Sequence, residues 1–211
     1  MLLACSLRDC VDSWSWGMEG KEAYSVASCK QALAVNNSAP RNSNLKWEKW
    51  VPLKVNLNAW RADLDRLPTC EALARRRVFI QDTLCQMCRS ANEDLKHILV
   101  DCIFAFGVWS GICKWCRLDP FVAYDFNDLL LLYKNVHGGK WKKKIVRGIV
   151  LIGIWAIWNA RNEKIFQGKD MIVMKTVAEV KSKAFLWLKY RSKFDCIVWK
   201  DWAKYPLYLC L

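Results

Sequence analysis

The sequence predicts a mainly α fold with a small N-terminal β-hairpin and a long helical hairpin at its end. Three observations predict it. Apolar residues recur at helical spacing through most of the chain after residue 47. Four Cys and His side chains between residues 85 and 102 stand at a spacing that staples short helices together. Two long apolar-striped stretches, divided by Gly168, close the chain.

The elements follow in order. Trp14 and Trp16 alternate with Ser13 and Ser15, a period of two, and Gly17 and Gly20 bracket a turn. Extended structure resumes at Tyr24-Ser25-Val26, giving a short hairpin. A helix capped by Ser25 or Ser28 runs on to about Val35. Residues 36–44 are a polar loop. Trp47, Trp50 and Val51 share one face of a helical turn that Pro52 ends or kinks. Val55, Ala59 and Trp60 continue a helical pattern to Arg66. Thr69 caps a short helix through Leu73 to Arg77. Glu93 to Val100 reads as helix, and the pattern resumes from Phe104 to Cys116. Another helix spans 126–136. Lys140 to Phe166 is the first long helix, with Trp141, Ile145, Ile149, Ile152 and Trp155 on one stripe. Met171 to Arg191 is the second, and Ile197 to Trp202 a short last segment.

Cys85, Cys88, His97 and Cys102 read Cys-x2-Cys-x8-His-x4-Cys. A Cys-x-x-Cys turn puts two thiolates on one side of a cation, and the later His and Cys close a tetrahedron. Three sulfurs and one nitrogen suit Zn²⁺ and leave no open coordination position, the pattern of a structural site. One structural zinc is therefore expected, in a zinc-stapled helical domain.

Charge is unevenly spread. Residues 1–105 hold 14 Lys/Arg against 12 Asp/Glu, and residues 106–211 hold 19 against 8. The excess of cations faces a polyanion or simply solvates a helix surface. Arg75, Arg76, Arg77, Lys140, Lys142, Lys143, Lys144 and Arg147 are the candidate nucleic-acid contacts, with RNA or DNA as partner. Trp141 either stacks on an unpaired base or packs inward with the apolar stripe. The eleven cysteines are too few for a disulfide scaffold. Arg8 and Asp9 cut short the apolar start, so no secretory leader is expected and the cysteines are expected to be reduced. The longest apolar run, Ile149 to Trp158, falls short of the ~20 residues a bilayer span needs. No membrane contact is expected.

The ordered blocks along residues 1–120 resemble one family, the zinc-binding domain that follows the polymerase in plant non-LTR retrotransposon reverse transcriptases. The blocks are Asp12-x-Trp14-x-Trp16, Tyr24-Ser25-Val26-x-Ser28, Trp47-x-x-Trp50-Val51-Pro52-x-Lys54-Val55 and Ala59-Trp60-Arg61. Leu64-Asp65-Arg66-Leu67-Pro68-Thr69 follows, then Leu73 and Arg76-Arg77. Cys85, Cys88, Glu93, His97 and Cys102 match the family's metal site, and Phe104-Ala105, Val108 and Trp109 close it. Further on, Trp155-x-x-Trp158-Asn159-x-Arg161-Asn162 is similar to a helix that trails the domain. The resemblance implies a zinc-binding domain over 1–120 and a basic helical region over 121–211. No polymerase or ribonuclease H signature can be picked out, so the expectation is a detached C-terminal piece, not an enzyme. No catalytic residue and no small-molecule substrate are assigned. Other retroelement proteins are possible partners. The location is expected to be intracellular, and a retroelement origin implies the nucleus. A structural or protein-interaction module, or an orphaned fragment, is the alternative. Cys113-x-x-Cys116 lacks a second pair and reads as core, and His137 as a loop residue.

Overall fold

The computed structural model describes residues 25–30, 43, 45–119 and 122–210. The expected hairpin, from Ser13 to Val26, lies outside these as far as Tyr24. Its last residue, Val26, is helical rather than extended. Ser25 caps that helical turn, its Oγ accepting from the Ser28 N–H at 3.1 Å. The chain divides into two compact units, Met1–Asn42 and Ser43–Leu211. The remainder concerns the second.

Helix α1 spans Leu53–Asp63. Pro52 is its N-cap, so the proline starts a helix, where the expectation is that it ends or kinks one. Its missing N–H costs nothing at that position. The preceding Trp47–Val51 stretch is a single turn. Buried Asn56 holds it, accepting from the Glu48 N–H at 3.0 Å and donating to the Val51 carbonyl at 3.0 Å. Helix α2, Cys70–Arg75, is capped by Thr69, whose Oγ1 accepts from the Ala72 N–H at 3.2 Å.

Helix α3 spans Ile103–Cys116 and ends at Arg117 in a left-handed conformation, φ 51°. Helix α4, Phe126–Leu131, opens with a capping box of Asp125 and Asp128 and runs into a 3₁₀ turn at Leu132–Asn135. Helix α5, Lys140–Gln167, has 28 residues, about 42 Å of helix. Gly168 ends it at φ 65°, a conformation that carries little cost without a Cβ. Helix α6, Val173–Arg191, returns alongside. Helix α7, Trp199–Lys204, seats Trp202 in the core, where its Nε1–H donates to the Lys181 carbonyl at 2.9 Å.

Helix α5 is the centre of the unit. Its residues from Ile145 to Trp158 are almost all buried, and α1, α3, α4 and α6 pack around it. An apolar helix surrounded in this way has no lipid-facing role to explain. No helix among the described residues is long and apolar enough to cross a membrane. The contact of α5 with the turn before α1 is close: Trp50 lies directly on Gly148, where a Cβ would overlap the indole. Gly148→Ala is therefore expected to cost about 2–3 kcal/mol through overpacking. A urea denaturation midpoint unchanged from the parent chain would refute that contact.

Candidate metal centre

The centre is built by a tight loop and a π turn. Leu84 and Asn92 form an antiparallel bridge. The Cys85 N–H bonds the Ala91 carbonyl at 2.8 Å, and the Glu93 N–H bonds the Thr83 carbonyl at 2.8 Å. Between them Arg89 turns the chain at φ 59°, its N–H returning to the Cys85 carbonyl at 2.8 Å. Cys85 and Cys88 thus project from one side of the loop. Glu93 does not start a helix. It precedes one, and the Asp94 carboxylate accepts from the His97 N–H at 2.6 Å as the cap.

His97–Asp101 is a π turn. Four residues separate His97 from Cys102, and an α-helix would swing two such positions about 140° apart. The π turn closes through a Cys102 N–H to His97 carbonyl bond of 2.8 Å and brings the second side chain back over the first. Cys102 then leaves the turn with an extended backbone and begins α3.

The four side chains converge. Their ligand atoms all lie within 4.8 Å of one another, and His97 Nε2 is 3.1 Å from Cys88 Sγ. Cys85 and Cys102 are fully buried, and His97 is 8% exposed. A tetrahedral zinc with ~2.3 Å Zn–S bonds would set donors about 3.8 Å apart, a separation within the span of this cluster. The hydrogen bond to Cys102, and then burial, push the Cys85 thiol up, while accepting that bond holds Cys102 down. A divalent cation among them would let each sulfur ionise. Cys85, Cys88, His97 and Cys102 are the residues that would hold it.

The other cysteines differ. Burial pushes the Cys113 thiol up to about 11 and that of Cys116 higher still, and both sit in the core. They are poor ligands and poor nucleophiles.

The basic candidates occupy two places. Arg75, Arg76 and Arg77 end α2, exposed, with Arg75 paired to Asp65 at 3.0 Å. Lys140, Lys142, Lys143 and Lys144 surround the first turns of α5. Arg161, which reaches the start of α2, stands 19 residues beyond Lys142, about 28 Å along the helix. Arg147 is not a free cation: it is paired with Glu48 and lies 4.7 Å from the Tyr133 ring centre. Burial raises the Glu48 carboxyl above its ordinary range despite that arginine. Sequence spacing missed Arg191 and Lys193, which approach Trp141 across a cleft, because they lie some 50 residues away in the chain.

A helical unit closed by a Cys₃His cluster has the layout of a domain that one structural metal ion would staple. Residues 24–109 match the family described as zinc-binding in reverse transcriptase, and all four ligands fall within that match. A protein of Arabidopsis thaliana described as a ribonuclease H protein is 26% identical over 159 residues, which is 73% of this chain and 25% of that protein. The chain thus spans about a quarter of that relative's length. No solved structure matches the chain.

Proposed function

We propose that this chain is a non-catalytic, retroelement-derived nucleic-acid-binding module, held in shape by one structural zinc and binding RNA or DNA with little sequence preference. The observation that carries the reading is the charge distribution. Residues 134–204 hold 17 Lys/Arg against 5 Asp/Glu. Among the described residues, Lys140, Lys142, Lys143 and Lys144 have no ion-pair partner. Cations free of carboxylates release counterions from a phosphate backbone, a source of affinity that reads no bases. Four protein donors on one metal leave no site for a reacting water, which supports a non-catalytic role.

A protein-docking reading would need the family's tryptophans to form an apolar surface. Trp50 and Trp109 are buried, Trp60 is half-buried, and Trp47 is the exposed one. That favours nucleic acid. Fluorescence anisotropy with labelled single-stranded RNA and DNA is expected to show affinity falling with salt. The log–log slope should be about −0.7 for each phosphate contacted. No binding at low salt would overturn the reading.

A further inference from the structure

We infer that the cleft beside Trp141 is a stacking site for one unpaired nucleobase, with the flanking phosphates held by the cations at its rim. This rests on the nucleic-acid reading and gives it a place. The cleft has a volume of about 190 Å³ and lies between the start of α5, the end of α6 and the Lys49–Trp50 turn. Drug-sized pockets run from about 300 Å³ upward, so this one suits a single flat ring.

Its walls are aromatic. Trp141 is 48% exposed and meets Phe194 edge to face, with centroids 5.4 Å apart and planes at 89°. A half-exposed tryptophan held in place by a second ring presents a fixed π surface, which any base can stack on. Its rim is cationic. Lys49, Lys144, Arg191 and Lys193 line it, no carboxylate does, and Lys144 Nζ sits 5.0 Å from the Trp141 ring centre. Cations beside an aromatic platform are the arrangement a single strand needs, phosphate next to base. Trp50 also lines the cleft, 2% exposed and packed against Gly148. An acidic peptide would use the cations and leave both rings idle.

The test uses the full zinc-loaded chain and three probes: oligouridylate, inorganic polyphosphate of equal charge, and polyglutamate. The parent chain is expected to bind oligouridylate about tenfold tighter than polyphosphate at the same salt. Trp141→Ala should erase that difference while leaving the salt slope unchanged, and Trp141→Phe should keep most of it. Zinc content and circular dichroism check that the variants fold. Photocrosslinking of 5-bromouridine RNA to the unmutated chain gives a second readout, with adducts expected on Trp141, Phe194 or residues 191–193. If both polyanions bind alike and Trp141→Ala changes nothing, the stacking site is wrong while charge-driven binding stands. If polyglutamate competes as well as RNA, the cleft serves a protein. Binding of no probe at low salt removes this inference and the broader reading together.

Discussion

Stripping zinc from this chain is expected to unfold the segment between α2 and α3. A structural zinc contributes about 10–16 kcal/mol of apparent binding free energy at neutral pH. Whole-domain stability is about 5–15 kcal/mol. Beyond the buried Arg161–Glu93 pair at its base, the loop of residues 83–94 has little else to hold it: one bridge, a few backbone bonds and the exposed Arg89–Asp82 pair at 2.6 Å. Exposed pairs of that kind contribute under about 1 kcal/mol. The purified chain should carry one zinc, and Cys85→Ser or His97→Ala should lose it. Circular dichroism should then show lost helix and a lower melting temperature. The sign of the pH effect follows from the ligands. Binding requires thiolates and a neutral imidazole, so acid returns protons to all four and releases the metal. Falling pH should therefore destabilise the loaded chain more than the Cys85→Ser variant, which has no zinc to lose. Elemental analysis showing no stoichiometric metal, with a fold indifferent to chelator, would sink the assignment.

The ligands were legible because a Cys-x-x-Cys turn is a local object. Its spacing is geometry, and one His and one Cys within the next 14 positions leave few alternatives. The long helices were legible for the same kind of reason: a stripe at period 3.6 repeats itself over many turns, and Gly168 marks its end. What could not be read was structure set by distant partners. The π turn at His97 looks like any apolar helical run until Cys102 has to come back to the metal. Pro52 reads as a stop or a kink because the residues before it fit a helical turn, yet Asn56, which lies beyond it, holds them in a tighter one. Arg147 looked like one more free cation in a basic run, and only folding brings it to Glu48, 99 residues away. The charge on Lys140 to Lys144 could be counted, but not the approach of Arg191 and Lys193 from another helix.

Arg161→Ala is expected to cost about 3–5 kcal/mol and to loosen the metal centre as well. Arg161 on α5 and Glu93, four residues before His97, form a fully buried pair. Their side chains are 5% and 0% exposed. The guanidinium grips both carboxylate oxygens, Nε donating to Oε2 at 3.1 Å and the other arm to Oε1. The Cys70 N–H adds a bond to Oε1 at 3.0 Å, and the guanidinium carbon lies 5.0 Å from the Trp158 ring centre. Glu93 also closes the cysteine loop through its own N–H to Thr83. One pair therefore ties the trailing helix to the start of α2 and to the base of the metal loop. This gives the Trp158-Asn159-x-Arg161 block a physical task that its sequence does not announce. Removing the arginine strands a carboxylate away from water, and that stranded charge carries the cost rather than the attraction lost. Arg161→Lys should rescue little, because a single ammonium cannot make the two-armed grip. Replacing both partners, as Arg161→Met with Glu93→Leu, should be milder than Arg161→Ala alone, since no charge is left buried. Urea denaturation of the single and double variants, with zinc release to a chelator followed alongside, tests both parts. If the double variant loses as much as the sum of the two singles, the residues act independently, and the helix does not brace the metal centre through them.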